Sequence, residues 1–437
     1  MAHIAPFRAL RYDPARVTLS QVVTQPYDKI TPEMRERYYA TSPYNLARII
    51  LGKQYPTDHA GENTYTRAAS FFADWRREGT FLQDPQPSLY VYVERFTPPG
   101  GDKEIERRGF IALGKVEDYS AEVVFRHEQT LSKPKADRLD LLRATRTHFE
   151  QIFMLYSDPA GEIEGALTPS SGPDMEMRDE YGAQHQVWKI SEPSLIALVR
   201  AKMNDKKLII ADGHHRYETA LNYRNERRAA EASVSSSGTG PLPYELVMMT
   251  FVNMDSSGLA ILPTHRVVHG LSSFSAEKFR QSAAAYFQVE EVDASLDAGQ
   301  AIKILRNAAY TGTALLAVAA DRVFLLSQPK TQGLNIFEGF SQRQQSLDVV
   351  QLHKCLLETV LGISEEAIRN QQNIRYIRDA GEALSQVRSG SANIAFLINP
   401  ARMEQVRDIA FAGDVMPQKS TDFYPKLLSG LTIYALE

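Results

Sequence analysis

Apolar positions along the chain recur at two periods, and the alternation between them sets the expected elements. Short runs over 89–93 and 110–113, rich in β-branched and aromatic residues, predict strands, and Thr-Pro-Pro-Gly-Gly-Asp over 97–102 predicts the turn that joins them. Over 63–78, Tyr65, Ala68, Ala69, Phe72 and Trp75 fall on one face of a helix. Leu139, Leu142 and Thr145 suggest a second helix, with a strand over 149–156 after it. A short buried strand over 208–211 runs directly into a long helical pattern over 214–232. The stretch 233–243 has nothing to pack and reads as flexible loop, and 244–252 reads as a strand.

From 275 onward the pattern changes. Helices over 276–287 and 298–309, a strand over 289–292 and an apolar hairpin over 314–326 predict a compact α+β unit. Val349, Leu352, Leu356 and Val360 mark an amphipathic helix over 346–361 that contains the single cysteine, Cys355, which reads as a small buried apolar residue. Further strands are expected over 392–398 and 431–436. The fold class is therefore mixed α+β, with domains over 1–270 and 271–437, and no internal repeat is visible.

Composition narrows the function. The chain has 437 residues, 43% apolar and 23% charged, as a folded domain does. A net charge of -4 argues against a field for gripping duplex nucleic acid. One cysteine excludes an intrachain disulfide framework and a Cys-rich zinc site. No apolar run approaches the ~20 residues of a membrane helix, and the first residues carry no secretory pattern. The reading is a cytoplasmic protein with no membrane partner.

The sharpest candidate for chemistry is Asp212-Gly213-His214-His215-Arg216, where an apolar strand stops and a helix begins. Glycine permits a tight turn and close approach of a ligand. The first amides of a helix lack internal partners and, with the helix dipole, favour an anion. Arg216 can add a forked contact to phosphate, and Asp212 can hold a metal ion or a substrate hydroxyl. A second candidate is basic: 126–146 holds six Lys or Arg against three Asp or Glu. Within it, Glu128 is a candidate base or metal ligand, His127 a phosphate donor, and Lys135 and Arg138 anion contacts. His265 and Arg266 follow a strand and could complete an anion pocket. The loop 413–426, with Lys419 and Lys426, could cover a site. The competing structural readings are a helix cap at Asp212, a solvated charged helix over 126–146, and a structural histidine at 265. Walker, Rossmann, His-Glu-x-x-His and Gly-x-Ser-x-Gly signatures do not occur.

The segments PFRAL, QPYDKI, SPYNLARIIL, RHEQT with KPKADRLDLL, ADGHHRYETA, LPTHRVV and MPQKSTDFYPK, in this order, resemble the bacterial and archaeal DUF1015 family. The element at 212–216 is similar to the nucleotide-binding element of the ParB/sulfiredoxin fold, whose superfamily includes free-serine kinases. That resemblance implies a ParB/sulfiredoxin-like core, with Gly213 to Arg216 on the phosphates of ATP or ADP and Asp212 near the reacting hydroxyl. Glu128 has no counterpart in that motif and rests on its own chemistry. The expectation is a nucleotide-dependent small-molecule kinase, acting on a hydroxyl such as that of free serine. Mg²⁺ would be held by Asp212 and Glu128, His127 would assist, and Lys135, Arg138, His265, Arg266 and Lys419 would supply further phosphate contacts. The alternatives are a nucleotide-binding sensor without turnover and a metal-dependent hydrolase built on His127, Glu128, His214 and His265. A homodimer is left open.

Overall fold

In the computed structural model, strands and helices divide into two units, and residues 2–129, 133–231, 241–331 and 333–437 are described. Unit 1 comprises Met1–Arg126, Thr130–Ala260 and Tyr424–Glu437; unit 2 comprises His127–Gln129 and Ile261–Phe423. The class is mixed α+β, as the two periods predict.

Unit 1 is built on a nine-stranded sheet. Its order is Val124–Phe125, Leu208–Asp212, Ile152–Tyr156, Leu246–Asn253, Ile105–Lys115, Leu89–Phe96, Gln184–Ile190 and Met175–Arg178, with Ile4–Ala5 also pairing Ile105–Lys115. The expected hairpin forms: Leu89–Phe96 and Ile105–Lys115 pair antiparallel with Tyr90 opposite Ile111. Leu246–Asn253 is buried at every position, as a strand covered on both faces is, and is apolar except for Thr250 and Asn253. One face carries a core of Val91, Ile152, Ile210, Tyr217 and Phe251. The helix predicted from 63 runs over Thr64–Arg77 and starts at an Asn63 capping box.

Within the sheet, Arg107 is fully buried against Glu94, with Nε 2.6 Å from Oε2. The same guanidinium donates to the carbonyls of Pro425 at 2.7 Å and Tyr424 at 3.3 Å. The last segment of the chain is thus fastened into unit 1. The strand expected over 431–436 reduces to Tyr434–Ala435, paired with Thr147–His148.

Unit 2 has a six-stranded sheet in the order Gln288–Val292, Val323–Ser327, Ala314–Val318, Ile394–Ile398, His265–Val268 and Ile374–Ile377. The strand His265–Val268 pairs on both sides within this sheet, so the chain passes into unit 2 before residue 265. The predicted helix over 346–361 divides in two: Asp348–Gln351 is α-helical and Leu352–Val360 winds as a π-helix. The apolar stripe survives the change, with Leu352, Cys355 and Leu356 buried. Burial pushes the Cys355 thiol up to about 12, so it stays protonated and inert. Most of the loop expected over 233–243 lies outside the described residues.

Candidate functional site

The strand Leu208–Asp212 buries Leu208 to Ala211 and then surfaces. Its register against Ile152–Tyr156 shifts between Ile210 and Asp212, an irregularity that re-aims the strand end. Asp212 to Arg216 are all partly exposed, whereas Tyr217 to Ala220 are buried again. Gly213 turns the chain at φ +88, a conformation that costs any residue with a Cβ. Its carbonyl accepts the first bond of the helix His214–Glu231, from the Tyr217 amide at 2.9 Å. The amides of His214, His215 and Arg216 therefore precede the first intrahelical bond.

Arg216 folds back over this turn. Its guanidinium donates to the Gln151 carbonyl and, at 3.3 Å, to Asp212 Oδ2. It lies so close over Gly213 that a Cβ there would sit 3.1 Å from Cζ and from Nε. Lys426 Nζ stands 3.6 Å from Asp212 Oδ1. Burial alone would raise the Asp212 carboxyl, but Lys426, Arg216, Lys29 and His214 outweigh it and hold the group well below the usual range. Asp212 is thus a fixed carboxylate and a weak base.

A second arginine backs the first. Arg138 is 7% exposed, stacks 4.1 Å over the Tyr27 ring and binds Asp137 through Nε at 2.9 Å. Its Nη1 is buried without a hydrogen-bond partner, 3.7 Å from Glu150 Oε2. Glu150 is held in turn by the Tyr27 amide at 3.0 Å and the Ser429 hydroxyl at 3.2 Å. Arg138, Glu150, Arg216 and Thr219 line a space of about 40 Å³, room for a water molecule. The charges gathered here are Arg216, Arg138, Lys426 and Lys29 against Asp212, Glu150, Asp137 and Asp28, so the two signs balance beside the helix start.

Of the residues singled out by sequence, Asp212, Gly213, His214, His215, Arg216 and Arg138 lie in unit 1. Lys135 falls in the helix Lys133–Thr145, and its side chain lies outside the described residues. His127, Glu128, His265, Arg266 and Lys419 belong to unit 2. There they lock a loop in place. Residue 128 bridges Met416, and Glu128 Oε1 accepts the Lys419 amide at 2.8 Å. His127 Nε2 meets the Thr421 hydroxyl at 2.7 Å. Arg266 is fully buried and donates to the carbonyls of Lys419 at 3.0 Å, Gln418 at 3.4 Å and Thr264. Burial lowers it to about 10. His265 is buried, accepts the Ile398 amide at 3.3 Å through Nδ1, and is lowered to about 4 by the same desolvation. His265 and Arg266, expected as phosphate contacts, thus make their hydrogen bonds in the interior of unit 2.

The expected magnesium ligands are engaged otherwise: Asp212 faces cations, and Glu128 is occupied by an amide and a hydroxyl. Among the described residues no three His, Cys, Asp or Glu side chains group as a metal site. The residues do not fit a protein-held metal ion. Sequence reasoning missed Glu150, named Tyr27 only within the QPYDKI segment, and read Lys426 only as part of a loop.

The chain belongs to the family described as "Protein of unknown function (DUF1015)", whose model matches residues 4–350. No curated protein matches. Three solved structures are similar at low identity. A conserved hypothetical protein from Pyrococcus furiosus is 12% identical, with 71% of this chain and 91% of that one covered and a TM-score of 0.36. A free serine kinase in complex with AMP is 12% identical over 69% and 83%, with a TM-score of 0.33. A C-terminal truncation of SbnI from Staphylococcus aureus is 11% identical over 74% and 87%, with a TM-score of 0.35. Among the described residues, no helix is long and apolar enough to cross a membrane.

Proposed function

We propose that the turn Asp212–Arg216 binds the phosphates of a nucleotide, ATP or ADP, and that the protein transfers a phosphoryl group to the hydroxyl of a small molecule such as free serine. The observation that carries this reading is a partly exposed helix start with Arg216 folded over it and Lys426 beside Asp212, and with Arg138 Nη1 buried and lacking a hydrogen-bond partner. An anion at that place would meet the amides that open the helix and the Arg216 guanidinium together.

The roles follow from the geometry. Gly213 leaves room for Arg216 and brings the backbone close to the ligand. Arg216, Lys426 and the amides of His214 to Arg216 would stabilise charge on the transferring group. Arg138 supports Glu150, and Glu150 steadies Tyr27. Asp212, held ionised, orients the acceptor hydroxyl rather than storing its proton, which suits a reaction that asks little of a base. The hydroxyl oxygen forms a bond to the terminal phosphorus, the bridging P–O bond breaks, and the shortened nucleotide leaves with the electron pair. The hydroxyl proton passes to solvent as that bond forms.

The test is binding of ATP and ADP by calorimetry, combined with phosphorus NMR of reactions containing hydroxy amino acids. Wild type should bind nucleotide and yield a phosphorylated product. Arg216→Ala should bind at least ~30-fold more weakly, a charge-assisted contact of about 2 kcal/mol. Unchanged affinity in folded Arg216→Ala overturns the site. Binding without product across the panel leaves a nucleotide sensor in place of a kinase.

A further inference from the structure

Unit 2 contains a cavity of about 450 Å³ that plays no part in the function proposed above. That volume is typical of a site for a small metabolite. It opens where the chain leaves the strand Ile394–Ile398 and turns into the helix Met403–Phe411, beside the start of the strand Ala314–Val318. Both signs of charge line it: Arg343 and Arg402 on one hand, Asp348, Glu404 and Asp408 on the other.

These groups differ in how far the protein satisfies them. Asp408 is paired with Arg407 at 3.0 Å. Among the described residues no carboxylate lies within ion-pair distance of Arg343 or Arg402, and no cation within that distance of Glu404 or Asp348. Asp348 accepts only neutral donors, the Thr313 hydroxyl and the Ala314 amide, and senses Arg402 at longer range. Burial pushes its carboxyl up to about 6, so near neutrality it is a partly buried anion with no counter-charge. Arg343 and Arg402 are exposed and hold no carboxylate among the described residues, so an anion can reach them without breaking an ion pair, while the desolvated Asp348 carboxylate is the group that a ligand's cation would relieve.

We infer that this cavity binds a small zwitterion of the α-amino-acid class, with its carboxylate on Arg343 and Arg402 and its ammonium on Asp348. The volume leaves space for a side chain beyond the two charged groups. The site lies in unit 2 and the phosphate turn in unit 1, so the inference stands apart from phosphoryl transfer.

The full chain would be titrated calorimetrically with the free amino acids, with the N-acetyl and carboxamide derivatives of any that bind, and with acetate and inorganic phosphate. At least one free amino acid should saturate the protein below millimolar concentration, and blocking either its amine or its carboxylate should weaken binding at least about tenfold. Arg343→Gln and Arg402→Gln, both at exposed positions, should each weaken it about as much and leave ADP affinity unchanged. Asp348→Asn should discriminate specifically against the ammonium, so that its loss with the N-acetyl derivative is small. Three results overturn the inference: no saturable binding of any free amino acid, affinity unchanged in the Arg343→Gln/Arg402→Gln double variant, or phosphate or acetate binding as tightly as the amino acid.

Discussion

Gly213→Ala tests the local logic of the phosphate turn without removing any charged group. The new methyl group has two costs. The backbone sits at φ +88, where an L-residue loses about 1 kcal/mol relative to glycine. The methyl would also stand 3.1 Å from Arg216 Cζ and Nε, so the guanidinium has to move. Moving it weakens the hydrogen bond to the Gln151 carbonyl and the 3.3 Å contact with Asp212, together roughly 1–2 kcal/mol. The sum is about 2–3 kcal/mol, or roughly 5–10 °C in melting temperature for a unit of this size. Urea unfolding would be measured for wild type, Gly213→Ala, Arg216→Ala and the double variant. Because the second cost acts through Arg216, the double variant should be more stable than the sum of singles predicts, with a coupling of about 1–2 kcal/mol. ADP affinity should fall in Gly213→Ala alongside stability. Strictly additive losses would refute the claim that the glycine exists to seat the arginine, and full stability in Gly213→Ala would refute both terms.

Three further outcomes are expected. Glu94→Gln leaves the fully buried Arg107 guanidinium without its carboxylate and should cost about 3 kcal/mol by chemical denaturation, whereas Glu94→Leu/Arg107→Met should cost less than that single change; a loss under about 1 kcal/mol for Glu94→Gln would contradict the buried-pair account. Lys426→Met removes the strongest of the cations that hold Asp212 ionised. A depressed carboxyl contributes stability above its unfolded value near 4 and loses it on acidification, so wild type should fall more steeply than Lys426→Met below about pH 4 and the two curves should converge. Parallel curves would show that the lysine does not act on that carboxylate. Asp348 has the opposite sign: with its folded value near 6 against 3.8 unfolded, the native state holds the proton more tightly, so stability should drop as pH rises from about 4 to about 6, by up to roughly 3 kcal/mol. Asp348→Asn should lack that slope in urea titrations across the window, and a slope retained in the variant would assign it elsewhere.

The strand-turn-helix at 208–231 was readable because its evidence is local: an apolar strand, Asp-Gly, then histidines and an arginine at a helix start occupy adjacent positions. The hairpin around 97–102 was readable for the same reason. Glu150, Tyr27 and Lys426 were not, since each reaches the turn from a distant stretch and nothing in its own neighbourhood records the meeting. Arg266 shows the reverse failure. Polar His265 and Arg266 at the head of a strand look like ligand-binding groups, yet that strand has hydrogen-bonded neighbours on both sides, and carbonyls of the 417–421 loop solvate the arginine in place of an anion. Residues 346–361 keep their apolar stripe in the sequence while part of the backbone winds more loosely, a change of pitch that the stripe tolerates and therefore hides.

Tyr424–Glu437 returns to unit 1 after the whole of 261–423 has been devoted to unit 2. During synthesis the ribosome therefore delivers Lys426, and the backbone oxygens that receive Arg107, only after all of 261–423. A nascent chain halted before this stretch has Asp212 without its strongest counter-ion and Arg107 without two of its acceptors. The turn proposed to bind phosphate thus lacks one of its cations until unit 2 has been synthesised.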